Sequence, residues 1–124
     1  MKILVVDDEK DVQVLFEQRF RKEIRDKEME FVFAFSGEDA LVYMNDHQHE
    51  AVLILSDINM PGMSGLELLE KIKHKYLKPP PVVMMITAYG DPENIKIAQE
   101  LGADDFLTKP VDFISLKEKL KAIH

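Results

Sequence analysis

No cysteine occurs in the 124 residues, which excludes disulfides, thiolate zinc sites and a thiol nucleophile, and thiol redox chemistry with them. The same absence suits a reducing cytoplasm. Nowhere do about 18 apolar residues follow one another, and the first apolar run, Ile3 to Val6, is too short for a signal-peptide core before it meets Asp7-Asp8-Glu9. The expectation is a soluble, unexported, cytoplasmic chain with no membrane partner. Basic charge is also scarce: 16 Lys and Arg stand against 23 Asp and Glu, a net charge of -7. Direct nucleic-acid binding needs clustered cations to neutralise phosphates. Here they are interleaved with acids, as in Arg19-Phe20-Arg21-Lys22-Glu23, the pattern of a solvated helix face. Internal repeats, low-complexity tracts and linkers are missing too, and Pro79-Pro80-Pro81 reads as a stiff lead-in to a strand. One domain over residues 1–124 follows, large enough to bury roughly two thirds of its unfolded surface.

Short apolar runs alternate five times with amphipathic stretches, the signature of strand-helix units in a parallel sheet. The strands are expected at Lys2-Val6, Met29-Phe35, Ala51-Ser56, Pro81-Ile86 and Asp104-Leu107. The first, third and fourth are continuously apolar, as when helices cover both faces; the second alternates and is expected at an edge. Helical spacing of three and four links Val12, Phe16 and Phe20, then Leu66, Leu69 and Ile72, then Phe113, Leu116 and Leu120. Capping chemistry stands at Ser36 with Asp39, Ser64 with Glu67, Asp91 before Pro92, and Asp112, and Gly102 is a helix stop. Right-handed crossovers leave few topologies, and for five strands the common one is doubly wound, order 2-1-3-4-5, flavodoxin-like, with helices on both faces. Ligands bind such sheets beyond the carboxyl ends of the strands, where the order reverses between strands one and three.

At that rim strand one delivers Asp7 and Asp8, strand three Asp57, strand four Thr87, and strand five leads through Thr108 to Lys109-Pro110. Three gathered carboxylates repel one another unless protonated or compensated by a cation. Oxygen-only ligands without a nearby histidine favour Mg²⁺, which takes one or two carboxylates and keeps waters and phosphate oxygens. His47 and His49 sit in a polar stretch, and neither they nor His74 or His124 carry a metal signal. A hydroxyl and an ammonium opposite the acids would cradle phosphoryl oxygens, with an aspartate as nucleophile. Spacing alone does not choose Asp57 over Asp7 or Asp8. Taken singly, Asp7-Asp8 would cap a helix, Thr87 would be a turn residue, Lys109 a solvated charge and Phe106 core; the convergence outweighs those readings.

Through Val5-Val6-Asp7-Asp8-Glu9, Asp57-Ile58-Asn59-Met60-Pro61-Gly62-Met63-Ser64-Gly65, Thr87-Ala88 and Lys109-Pro110, the chain resembles a response regulator receiver domain of two-component signalling, of the CheY-like type. The resemblance spans essentially the whole chain. It implies that Asp57 is the phosphoacceptor, that Asp8, Asp57 and the Asn59 backbone carbonyl bind Mg²⁺ directly, and that Asp7 acts through a water. It implies also that Thr87 and Lys109 contact the phosphoryl oxygens, that Asn59 and Tyr89 tune dephosphorylation, and that Lys109-Pro110 is cis. Phe106 stands at the aromatic switch position, where it lacks the hydroxyl of a tyrosine. The implied partners are a sensor histidine kinase or phosphotransfer protein, and a downstream protein or output domain reading the face of helix four, strand five and helix five. A phosphorylation-dependent homodimer is compatible with that face. Met60 and Met63, in the Asp57 loop, are expected near a docking surface.

Other classes fit less well. A haloacid dehalogenase-type phosphatase also uses an aspartyl phosphate and Mg²⁺, yet its Asp-x-Asp motif after strand one is absent. A flavin or nucleotide module would carry a phosphate loop where Asp7-Asp8-Glu9 stands, and a phosphorylation-independent interaction domain would not need the full acidic set. The stretch Glu23 to Glu30 departs from the minimal receiver pattern, with the first helix or its following loop about a turn longer.

Overall fold

Alternation within each apolar strand divides the core in two. In the computed structural model, which describes residues 1–47, 53–75, 81–88 and 91–123, β1 (Lys2–Val6) sends Ile3 and Val5 to one face and Leu4 and Val6 to the other. Leu53 and Leu55 of β3 (Leu53–Asp57) and Met84 and Ile86 of β4 (Val82–Thr87) join the first set; Ile54, Val83 and Met85 join the second. Successive side chains of a strand point oppositely, so a strand apolar at every position needs a helical layer on each side. On the first face lie α1 (Asp11–Arg19) and α6 (Phe113–Ile123), contributing Phe16, Leu116 and Leu120, with Phe20 just past the end of α1. On the second lie α3 (Gly37–Asp46), α4 (Gly65–Lys75) and α5 (Pro92–Glu100), contributing Ala40, Met44, Leu68, Ile72 and Ala98.

With β2 (Glu30–Ala34) and β5 (Asp105–Thr108) at the edges, the sheet is parallel throughout, in the order β2-β1-β3-β4-β5. This is the expected doubly wound α/β topology. Residues 51 and 52, His49, Pro79, Pro80, Tyr89 and His124, all named above, lie outside the described residues. Three strand ends, those of β3, β4 and β5, run one residue further than expected, because Asp57 pairs in register with Ile86 and Thr87 with Thr108. The ladder uses backbone groups and is indifferent to a polar side chain.

The first helix is divided. Phe20 leaves helical geometry (φ -108°, ψ 22°), and a short α2 (Arg21–Arg25) follows before Lys27 turns the chain at φ 60°. The sequence's fourth and fifth helices are therefore α5 and α6. The bend lets Phe16 and Phe20 both bury, their rings 5.8 Å apart, with Phe31 4.9 Å from Phe20. The other helix ends follow their sequence signals: Ser36 accepts from the Asp39 N–H, Ser64 from Glu67, Asp91 from Asn94, and Asp112 from Ile114 and Ser115. Gly102 closes α5 at φ 99°. Among the described residues no helix is long and apolar enough to cross a membrane.

Candidate functional site

The parallel sheet aims the ends of β1, β3, β4 and β5 at one rim, and among the described residues those ends carry all of the buried polar side chains except Glu23. Asp7, Asp57 and Thr87 are 5%, 3% and 1% exposed, while Asp8 faces solvent. Backbone bonds fix their positions. The Asp7 N–H donates to Ala34 O at 3.1 Å, Ile58 N–H to Ile86 O at 3.1 Å, and Lys109 N–H to Thr87 O at 2.9 Å. The Lys109-Pro110 bond is cis.

Carboxylate oxygens of Asp7, Asp8 and Asp57 lie within 4.8 Å of one another. The Lys109 ammonium donates to Asp57 Oδ2 at 2.7 Å, and the Asp7 carboxylate accepts the Glu9 N–H at 2.9 Å. Burial raises the Asp7 carboxyl above the usual aspartate range; the Glu9 N–H opposes this and the Asp57 charge adds to it. Burial pulls Lys109 down, but the hydrogen bond and charge of Asp57, with the charges of Asp7 and Glu9, outweigh it and hold its pKa above the usual lysine value. One ammonium against three acids leaves the rim short of positive charge. That donor set, all oxygen with one member open to water, suits a hard divalent cation such as Mg²⁺.

The remaining expected residues sit around this cluster. Thr87 Oγ1 donates to the Ala88 carbonyl at 3.4 Å, and Asn59 is exposed two residues beyond Asp57. Phe106 is half-buried in β5 beside Met85, against the core under α5. Met60 and Met63, expected near a docking surface, pack inward in part. Met60 is buried, and Met63 packs on Gly37 so closely that a Cβ there would come 2.9 Å from its Sδ. A groove of about 720 Å³ opens between α1 and the turn after β5, with Asp7, Glu9 and Lys109 at one end and Val12, Leu15 and Phe113 along it.

Two residues at the site had no role in the sequence reading. Gly65 approaches Asp57 so closely that a Cβ would overlap the Asp57 carbonyl oxygen and lie 2.8 Å from Ile58 Cα. Ser56 is fully buried, its hydroxyl donating to the same carbonyl at 3.0 Å. Gly65 stands in the motif that carried the resemblance, but only the folded chain shows what it touches.

The model of the response regulator receiver domain family matches residues 3–121. Response regulator RppA of Synechocystis is 34% identical over 99% of this chain, and the chain spans about half (50%) of that relative's length. A receiver domain protein (CheY-like) from Methanospirillum hungatei is 32% identical, with a TM-score of 0.82 over 98% of this chain and 90% of its own. NtrX from Brucella abortus, solved with ADP, matches at 32% identity and a TM-score of 0.81 over 98% of this chain but 26% of its own. Fold, rim and family model agree, and the chain belongs to the response regulator receiver domain family.

Proposed function

We propose that this chain is a Mg²⁺-dependent phosphorylation switch that accepts a phosphoryl group on Asp57 from the phosphohistidine of a sensor histidine kinase or phosphotransfer protein. The observation carrying this reading is the buried Asp57 carboxylate, held at 2.7 Å by Lys109 and converging with Asp7 and Asp8. Asp8, Asp57 and the Asn59 carbonyl would hold the ion, with Asp7 acting through a water. When bound, Mg²⁺ neutralises the acids and the incoming phosphoryl oxygens. An Asp57 carboxylate oxygen attacks phosphorus as the phosphorus–nitrogen bond to the donor histidine breaks, its electron pair leaving with the imidazole. Lys109 shifts from Asp57 toward a phosphoryl oxygen and stabilises the charge there. The groove between α1 and the turn after β5, leading to Lys109, suits docking of the donor.

Among the described residues Thr87 Oγ1 has only a long bond to Ala88, so little there opposes its turning to the new oxygens. Its movement opens room for Phe106, and the face of α5, β5 and α6 shifts toward the arrangement a downstream protein or output domain reads. Moving that equilibrium from 1:99 to 99:1 requires about 5.5 kcal/mol of preference. Phe106 has no hydroxyl, so this coupling is by packing. Asn59 and Tyr89 set the lifetime of the acyl phosphate, and the same face is available to a phosphorylation-dependent homodimer.

The test is incubation with acetyl phosphate and Mg²⁺ followed by intact-mass measurement. The expected result is one added phosphoryl group on wild type, none without metal, and none on Asp57→Asn. Labelling that ignores both metal and Asp57 would refute the assignment.

A further inference from the structure

Ser56 is a buried hydroxyl for which phosphoryl transfer has no direct use. At 1% exposure in β3, between Leu55 and Asp57, it occupies a position that an apolar residue would fill at lower desolvation cost. Its hydroxyl donates to the carbonyl of the next residue, Asp57, at 3.0 Å. Gly65 presses on that same carbonyl from the start of α4. The next peptide unit is also tied: Ile58 N–H donates to Ile86 O at 3.1 Å, and Ile58 O accepts Gly65 N–H at 2.7 Å. Three successive backbone groups leaving the acceptor are thus fixed, and Asn59 follows immediately.

We propose that Ser56 is a positioning residue of the Asp57 site: with Gly65 it fixes the Asp57 carbonyl, and through it the path that brings the Asn59 backbone carbonyl beside the acids. This rests on the proposed role of Asn59 as an ion ligand. A metal site loses affinity when a supporting hydrogen bond lets a ligand wander by a fraction of an ångström. The Asp57 carboxylate has a second restraint in Lys109, whereas the Asn59 side chain is exposed and its backbone depends on the loop. Ser56→Ala removes one oxygen atom and adds no volume, so the strand and its packing persist.

The test is Mg²⁺ titration by calorimetry on wild type, Ser56→Ala and a control, Ile3→Val, which trims the core at the opposite end of β1. Melting temperatures without metal place both variants on one stability scale, and labelling by acetyl phosphate is followed against Mg²⁺ concentration. Ser56→Ala should bind Mg²⁺ about tenfold more weakly and need correspondingly more for half-maximal labelling, with a smaller change at saturation. Ile3→Val should bind as wild type does. Wild-type affinity in Ser56→Ala, or an equal loss in Ile3→Val, overturns the positioning role while leaving the acceptor assignment intact. Wild type that neither binds Mg²⁺ nor is labelled defeats both. Should Ser56→Ala fail to fold, Ser56→Thr, which keeps the donor, is compared with Ser56→Val of equal size, and equal affinities in that pair overturn the proposal.

Discussion

The two ends of the sheet handle charge in opposite ways. At the amino-terminal end, Lys73 donates to Asp104 Oδ2 and to Pro81 O, both at 2.9 Å, and the same Asp104 oxygen accepts the Val83 N–H at 2.8 Å. One cation meets one anion, and backbone groups take up the remaining bonds. At the carboxyl end, three carboxylates crowd within 4.8 Å and Lys109 contacts only one of them. The first arrangement holds α4, β4 and the chain entering β5 together. The second stores an electrostatic imbalance that only an added cation or proton can relieve, and such imbalance is the physical mark of a site.

Breaking each end separately sharpens this contrast. Lys109→Met leaves Asp57, its side chain 5% exposed, with no cation in contact. Because the Lys109 ammonium is partly in water, the expected loss is about 2 kcal/mol, below that of a fully buried pair. Most of it should return on adding Mg²⁺, as read by urea unfolding with and without metal; a loss unaffected by Mg²⁺ would show the rim is not a cation site. Lys73→Met should cost about 1 kcal/mol by taking the donor from Pro81 O and the cation from the solvent-exposed Asp104, and Mg²⁺ should restore none of it. The smallest effect belongs to the half-buried pair of Lys119 and Asp105 at 2.7 Å. Partial burial raises the Asp105 carboxyl, but the Lys119 ammonium and the Phe106 N–H outweigh it and hold its pKa below the usual aspartate value. Its contribution is therefore present above the unfolded pKa of about 3.9 and fades as pH falls through the lower folded value. Asp105→Asn should lose at most about 0.5 kcal/mol near neutrality, with a shallower acid limb.

The sequence makes much of this architecture legible because its signals are local. The β1 limits, the caps at Ser36, Ser64, Asp91 and Asp112, and the edge position of β2 all follow from neighbouring residues. The bend at Phe20 escapes because Val12, Phe16 and Phe20 keep helical spacing through it, so periodicity cannot register the break. Asp57 and Thr87 look like strand ends from composition, although their backbones remain in the ladder. The parts of the site that stayed hidden depend on distant returns of the chain. Nothing around Gly65 says that α4 begins against Asp57, and nothing near Met60 and Met63 says that the loop folds inward onto Gly37. Resemblance supplied roles for single residues; the folded chain supplied the contacts that explain Ser56 and Gly65.

Anomalous diffraction from crystals grown with Mn²⁺, which takes the same oxygen ligands as Mg²⁺, tests the convergence most directly. One peak is expected in contact with the carboxylates of Asp8 and Asp57 and the backbone oxygen of Asn59. A fully exchanged crystal with no peak there, its acidic side chains turned toward separate neighbours, would contradict it.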